Sequence, residues 1–438
     1  MNRKYNMKAV IVYILLITVP YFIKAQDTLH LPDAINISLK NSLEVQLSKN
    51  TIESNAILNH YGVAGGLPLV SANVNDNEQL SDINQKLNTG TVIKRNGAST
   101  NALTVGVTGS ILLYNGHRVV AAKARLAQLE QQSKQQLNSR IQNLMASVMT
   151  GYYDIVRQQS YVKTIDRSIE VSEQKLTIVK TQQSVGLANN ADLFQAQTDL
   201  NTLLQSRQSQ ELIIEQAKTE LLRLMGAKPD SIINIADTII VDSTINLDAI
   251  LNNLNKNADI LAAEDQVKIN AFIVRETAAL RYPSVRANTG FNFSRNQAAA
   301  GQVLLNQSYG PSVGFSIGIP IYNGTAFRRQ QQVAQINVKN AELDKQVLIR
   351  DYSAQVVKSY QAYASTLKQL QTEKENYDIS SKLLDVVLKR FQLKVATIVD
   401  LKNAQQSFEA SGYRLVNLNY AAKSAEIELK RLANQLSL

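Results

Sequence analysis

Residues 309–321 read YGPSVGFSIGIPI and show the clearest periodic pattern in the sequence. Apolar residues alternate along it with small or polar ones: Tyr309, Val313, Phe315, Ile317, Ile319 and Ile321 against Gly310, Ser312, Gly314, Ser316 and Gly318. Because successive side chains of a β-strand point to opposite faces, this period of two predicts a strand with one apolar and one polar face. A strand of roughly ten residues is long enough to cross a membrane in a β-barrel.

Residues 284–294 (SVRANTGFNFS) alternate in the same way, so the two stretches predict a β-hairpin over about residues 283–321. The outward, lipid-facing surface is expected to carry Phe291, Phe293, Phe315 and Ile317. Arg286 and Asn288 share the polar face with Ser284 and are expected to face the barrel lumen. The alternative for Arg286 is a place at the rim, where a long cationic side chain reaches the membrane surface.

A second, weaker hairpin is predicted over about residues 67–113, with apolar faces formed by Val70, Ala72 and Val74 and by Leu103, Val105, Val107, Ile111 and Leu113. The hairpin of a soluble β-sandwich is the alternative, but a hairpin is not stable alone and only a short stretch near Ile232–Val241 otherwise resembles a strand. Four strands cannot close a barrel, so several protomers must contribute. Tyr114, Tyr282 and Tyr322 suit an aromatic girdle at the membrane surface.

The chain contains two related units. Tyr114–Asn115–Gly116 matches Tyr322–Asn323–Gly324, and Asp192–Leu193 matches Asp400–Leu401, in both cases 208 positions later. The matching patterns indicate duplication. We therefore divide the chain into a first repeat (26–225), a linker (226–246) and a second repeat (247–438).

Long helices are predicted outside the strands. A stripe of apolar residues recurs at three- and four-residue spacing: Ile141, Leu144, Met145, Val148, Tyr152 and Ile155. The helix from about His117 to Ser184 should be ~100 Å long. Two shorter helices, one from about Asp33 to Val63 and one ending near Met225, together match that length. Stacked end to end, they would pair with the long helix as one coiled hairpin, which places the linker at mid-height.

The first 25 residues predict a secretory signal peptide. Arg3, Lys4 and Lys8 precede an apolar run that ends near Ile23, and Ala25 is a small residue suited to cleavage. An uncleaved membrane anchor is the alternative, although the run is short for a spanning helix.

Composition and motifs argue against several classes of function. The absence of cysteine excludes disulfides and thiol chemistry, and the net charge of +10 is too scattered to predict nucleic-acid binding. His30, His60 and His117 lie far apart without metal-ligand spacing. No phosphate loop or nucleophile motif is present, so we expect no enzyme activity, no metal and no cofactor.

The chain resembles the TolC-type outer-membrane efflux protein family over essentially its whole mature length. The resemblance lies in the repeated hairpins, the Tyr–Asn–Gly steps, and two tip sequences: Val185–Gly186–Leu187 with Asp192, and residues 397–401 (TIVDL). It implies a mainly α-helical, TolC-like fold in which a homotrimer forms a twelve-stranded barrel in the outer-membrane lipid and a periplasmic α-helical tunnel. It also implies a passive exit duct of a tripartite efflux or type I secretion system. The implied partners are a periplasmic adaptor (membrane fusion) protein and an inner-membrane transporter.

The resemblance further implies roles for the two tips. Val185, Gly186 and Leu187 would contact the adaptor, although Gly186 could instead serve only to end a helix. Asp400 would line a periplasmic gate, together with Asp192 and Asn403. Family members often have a second carboxylate where Asn403 stands, which predicts a weaker acidic ring here. Both aspartates could also act only as helix caps.

The sequence is also compatible with a function of a different class, that of a soluble periplasmic coiled-coil scaffold. The apolar strand faces argue against it, because a scaffold has no need of them. Within the duct interpretation, drug, metal-ion and protein cargo all remain open.

Overall fold

The computed structural model describes residues 28–437, so the predicted signal peptide lies outside the described residues. In chain order the elements are α1 (Leu31–Asn41), α2 (Leu43–Leu58), β1 (Leu69–Lys86), β2 (Val92–Tyr114), α3 (Arg118–Ser184), α4 (Asn190–Leu224), α5 (Leu247–Asn253), α6 (Ala258–Ala279), β3 (Ser284–Ala298), β4 (Leu305–Gly318), α7 (Ala326–Gln392) and α8 (Ile398–Leu432). A 3-10 turn, Leu254–Lys256, joins α5 to α6.

Helices α3 and α7 are each 67 residues long, so each spans about 100 Å. Shorter helices pack along each of them: α2 and α4 along α3, and α6 and α8 along α7. Helix α3 also contacts α6 and α8, so the two repeats pack into one bundle.

The helix predicted from about Asp33 to Val63 is in fact two helices and ends at Leu58. Ser42 leaves the helical conformation (φ −57°, ψ 123°), and its hydroxyl oxygen accepts a hydrogen bond from the Val45 amide at 3.3 Å. Ser42 therefore acts as an N-cap that starts α2.

The strands form one antiparallel sheet in the order β1-β2-β3-β4, so β1 and β4 are its edges. Strand β4 ends at Gly318, three residues before the predicted end at Ile321. Pro320 has no N–H to donate to a neighbouring strand, which accounts for the early end.

All four strands exceed the predicted length of about ten residues. Strands β1 and β2 have 18 and 23 residues, and β3 and β4 have 15 and 14. The pairing of β2 with β3 stops at Thr100, but its pairing with β1 continues to Val92. The hairpin of β1 and β2 therefore extends beyond the rest of the sheet.

The steps from sheet to helix use left-handed backbone. Gly116 and His117 have φ of 66° and 65°, and Gly324 and Thr325 have φ of 64° and 66°. Two successive residues with positive φ turn the chain sharply out of the strand before α3 or α7 begins.

Part of the linker, near Ile232–Val241, was expected as a short strand but has no regular secondary structure. Between this stretch and residues 28–30, the part of the N-terminal segment that the structure describes before α1, the backbone contact is one hydrogen bond, from the Leu29 amide to the Asn234 carbonyl at 2.8 Å. One such bond does not form a ladder. Ile235 and Leu436 nevertheless pack into the same apolar cluster as the fully buried Tyr152. The Tyr152 hydroxyl donates to the Leu29 carbonyl at 2.9 Å and to the Asp237 carboxylate, so the N-terminal, linker and C-terminal segments meet on α3.

Candidate functional site

The first helical hairpin reverses at residues 185–189. The Leu187 amide donates to the Gln182 carbonyl at 2.7 Å, and the Gly186 amide donates to Gln183 at 2.9 Å. This is a Schellman ending, with Gly186 in the left-handed region at φ 75°. A β-carbon at Gly186 would have no atom within 4 Å. Beside this open surface, the Val185 and Leu187 side chains are 64% and 62% exposed.

The second hairpin reverses with the same geometry but without a glycine. The Val395 amide donates to Arg390 at 2.9 Å, and Lys394 takes the left-handed position at φ 62°. The turn itself therefore tolerates a side chain at this position. Gly186 leaves its tip bare of side-chain atoms where the equivalent tip carries a lysine.

Asp192 and Asp400 occupy equivalent capping boxes. The Asn189 side-chain oxygen accepts from the Asp192 amide at 2.8 Å, and the Thr397 hydroxyl oxygen accepts from the Asp400 amide at 3.1 Å. In return, the Asp400 carboxylate accepts from the Thr397 amide at 2.8 Å. Each acid thus satisfies amides at the start of its helix, as the capping interpretation predicted.

The hydrogen bonds from the Thr397 backbone and hydroxyl hold the pKa of the Asp400 carboxyl below its usual range. Asp400 therefore stays ionised at neutral pH. Asp400 and Asn403 are both exposed in the protomer, whereas Asp192 is half-buried.

The two tips lie side by side. A cavity of about 260 Å³ between them is lined by residues of both hairpins, among them Leu187, Asp192, Lys394 and Thr397. The structure therefore brings the predicted adaptor and gate segments to the same end of the bundle.

Close to the tips lies a buried ion pair that the sequence analysis missed. Lys175 of α3 is fully buried, and its ammonium binds the Asp199 carboxylate of α4 at 2.7 Å. Lys402 of α8 reaches the same carboxylate at 3.1 Å, so three helices meet at Asp199. Burial opposes ionisation of Asp199, but hydrogen bonds from Lys175, Gln195 and Lys402 outweigh it and hold the pKa of that carboxyl below its usual range.

The sequence indicates that Lys175 is buried and needs a partner, but not that the partner is Asp199. Lys175 continues the apolar stripe of α3 formed by Ile165, Ile169, Val171, Leu176 and Val179. A cation at a buried position of a stripe requires a charged partner.

The strand register shows which of the predicted barrel residues share a face of the sheet. Phe291 lies opposite Val107 and Pro311, and Phe293 lies opposite Val105 and Tyr309. Phe315 and Ile317 pair with Ala287 and Val285, so all four predicted outward residues share one face.

Arg286 and Asn288 lie on the opposite face, where Arg286 pairs with Leu112 and Ser316. At the helical end of this face is a cavity of about 1080 Å³, lined among others by Arg118, Arg286 and Ser110.

None of the helices within residues 28–437 combines enough length with enough apolar character to cross a bilayer. No group of three or more His, Cys, Asp or Glu side chains in that part of the chain is arranged to hold a metal ion.

Comparison with known proteins identifies the family. A profile of the outer membrane efflux protein family matches residues 58–227 and 250–435. An uncharacterised protein of Haemophilus influenzae is 21% identical over 65% of this chain; the chain spans 62% of that relative, less than two thirds. Outer membrane protein TolC of Escherichia coli is 20% identical over 78% of this chain and 71% of its own length.

Solved structures share the fold. The outer membrane protein VceC of Vibrio cholerae has a TM-score of 0.76 at 16% identity, over 92% of this chain and 96% of its own. This likeness confirms the predicted TolC-like fold class. The profile covers both repeats, which decides against the soluble scaffold. The chain belongs to the outer membrane efflux protein family, the exit ducts of efflux and secretion systems in the outer membrane.

Proposed function

We propose that three copies of this chain join their sheets into one twelve-stranded barrel, continued by a helical tunnel into the periplasm. The observation that carries this proposal is the sheet order, because among residues 28–437 the strands β1 and β4 each have a neighbouring strand on one side only. An unpaired strand edge leaves backbone N–H and C=O groups without partners, which is costly in hydrocarbon. Pairing β1 of one protomer with β4 of the next removes every edge.

Engineered disulfides test this assembly, and the chain suits the experiment because it contains no cysteine. Ser71→Cys on β1 can be combined with Ser308→Cys, Ser312→Cys or Ser316→Cys on β4, all on the polar face. In at least one combination we expect covalent dimers and trimers on a non-reducing gel, and none from the single variants. A protein that is monomeric in detergent with its sheet signal intact would contradict the assembly.

The tip formed by Val185, Gly186 and Leu187 is proposed to receive the helical tips of a periplasmic adaptor, which in turn connects the duct to an inner-membrane transporter. Two exposed apolar side chains beside a bare glycine give a partner close access to the backbone. The transporter and the adaptor would then determine the cargo.

Substitutions of Gly186 separate docking from a purely structural role. Gly186→Asn adds a side chain that tolerates the left-handed conformation, so we expect normal trimer yield and loss of efflux in a cell-based export assay. The matched control is Lys394→Asn, which changes the equivalent position of the other tip and should retain efflux. Unchanged efflux by Gly186→Asn would remove the docking proposal.

The periplasmic gate is proposed at Asp400, assisted by Asp192 and Asn403. Asp400 is ionised and exposed at the end of the bundle, so three copies would surround one opening with negative charge. Charges confined in a narrow throat favour cations and can hold neighbouring helices together through hydrogen bonds.

A further inference from the structure

The segments where the chain passes between sheet and helices carry an unbalanced positive charge. Glu276 is the only acidic residue in residues 114–125, 276–286 and 318–329, and its carboxylate already binds Arg125 at 2.5 Å. Five further arginines of these segments form no ion pair within the described part of the chain: Arg118, Arg281, Arg286, Arg328 and Arg329. The opposite end of the sheet differs, because residues 76–95 contain Asp76, Glu78 and Asp82 as well as basic residues.

The five arginines differ in whether they line the cavity on the polar face. Arg118 and Arg286 line the cavity on the polar face, together with the paired Arg125. Arg281, Arg328 and Arg329 do not line that cavity and are exposed. The Arg329 Nε donates to the Thr325 hydroxyl oxygen at 3.2 Å, which holds that side chain against the start of α7.

Exposed apolar side chains indicate the height, relative to the membrane, at which Arg281, Arg328 and Arg329 lie. In the single protomer, Ile321 and Tyr322, which follow β4, are 95% and 82% exposed. Tyr282, which precedes β3, is 54% exposed and also borders the cavity on the polar face. Tyrosine side chains at the end of an apolar strand face are typical of the boundary between hydrocarbon and headgroups. Arg281 adjoins Tyr282, and Arg328 and Arg329 lie in the first turn of α7. The three cations are therefore at headgroup level on the periplasmic side.

We propose that Arg281, Arg328 and Arg329 bind the phosphate groups of anionic phospholipids in the periplasmic leaflet of the outer membrane. One guanidinium group can donate two parallel hydrogen bonds to two oxygens of a phosphate group. Glu276, the acidic residue of these segments, already binds Arg125 and does not compete with phosphate for the three arginines. Lipid bound at this level would anchor the barrel at the height where the sheet meets the tunnel. The inference rests on family localisation and on the strand faces, and is independent of the gate and the adaptor.

The test is a lipid titration of the full-length protein in detergent. The probes are dioctanoyl phosphatidylglycerol, dioctanoyl phosphatidylcholine and inorganic phosphate, with bound lipid counted by native mass spectrometry. The variant combines Arg281→Gln, Arg328→Gln and Arg329→Gln. One basic residue near an anionic surface is worth about fivefold in affinity, so we expect affinity for phosphatidylglycerol to fall at least roughly tenfold. Binding of phosphatidylcholine should not change.

The matched control removes the same charge lower on α7 through Lys358→Gln, Lys368→Gln and Lys374→Gln, which are exposed, and should leave affinity for phosphatidylglycerol unchanged. If the triple arginine variant does not assemble, Arg328→Gln alone should weaken binding roughly fivefold. The proposal is overturned if the arginine variant binds phosphatidylglycerol like the wild type, or if the lysine variant weakens binding equally. Inorganic phosphate bound as tightly as the lipid would also overturn it. So would a changed ion selectivity of the channel with unchanged lipid affinity, because the arginines would then face the lumen.

Discussion

At the residue scale, Asp199 joins three helices near the tips. It is the carboxylate partner of the fully buried Lys175 ammonium and also binds Lys402. Asp199→Ala would leave Lys175 buried and unpaired, so we expect a loss of about 3–5 kcal/mol in unfolding free energy. Thermal unfolding followed by the helical circular dichroism signal measures this.

The matched control is Asp378→Ala, because the Lys382–Asp378 pair has side chains that are 73% and 63% exposed. An exposed pair contributes at most about 1 kcal/mol, so this variant should unfold close to the wild-type temperature. Replacing both buried partners, by Lys175→Met with Asp199→Leu, should recover much of the lost stability. A loss in Asp199→Ala no larger than in Asp378→Ala would contradict the assigned role.

Asp199 also makes stability depend on pH. Its folded pKa lies below the usual value near 4, so the unfolded chain takes up the proton first as the pH falls. The stabilisation is therefore complete above about pH 4 and is lost as the pH falls through the folded pKa. We expect the difference in unfolding temperature between wild type and Asp199→Asn to stay constant from neutral pH to about pH 4 and then shrink. A difference that already shrinks near neutral pH would show that another group is responsible.

Local spacing determined what could be predicted for single residues. Asp192 and Asp400 stand three positions after Asn189 and Thr397, and that spacing alone predicts a capping box. The partnership of Lys175 with Asp199 depends instead on the register of two helices on either side of the tip. No pattern within either helix specifies that register.

At the element scale, periodicity predicted the elements and individual residues decided where they end. The apolar stripes extended through α3 and α7, and the alternation in β3 and β4 grouped the residues that share a face in the strand register. The predicted element boundaries were wrong where the hydrophobic periodicity gives no information. A serine cap divides the first predicted helix, and the polar hairpin of β1 and β2 continues beyond its apolar part.

The face assignment of β3 leads to a prediction. Phe291 shares a face with Val107 and Pro311, so Phe291→Arg would place a cation in hydrocarbon at a cost of roughly 2–4 kcal/mol near the midplane. We expect a reduced yield of folded protein in the outer-membrane fraction. Asn292→Arg adds the same charge one residue later on the polar face and should insert normally, as should Arg286→Ala. Equal insertion defects in all three variants would refute the faces.

At the scale of the whole molecule, duplication made the architecture predictable. Two units of the same design gave two hairpins and two long helices, and the structure adds that both tips meet at one end. The path of the linker could not be predicted, because it depends on Tyr152, Leu29 and Asp237, which lie far apart in the chain. Three assembled copies would place acidic residues at the tunnel entrance and arginines where the tunnel meets the barrel.

The last prediction concerns that entrance. Asp400 is ionised and exposed, so removing its charge from three copies should lower the negative potential of the opening. In planar bilayers we expect Asp400→Ala to reduce cation selectivity or raise conductance, because the carboxylates both attract cations and accept hydrogen bonds that hold the opening closed. Asn403→Asp adds a second acid one turn away and should increase cation selectivity. Asp192→Ala removes the equivalent capping box of the other hairpin, and Asp192 is half-buried, so this variant should mainly lower the unfolding temperature and change selectivity less than Asp400→Ala. If Asp400→Ala and Asn403→Asp both keep wild-type conductance and selectivity, Asp400 is only a helix cap and the gate lies elsewhere.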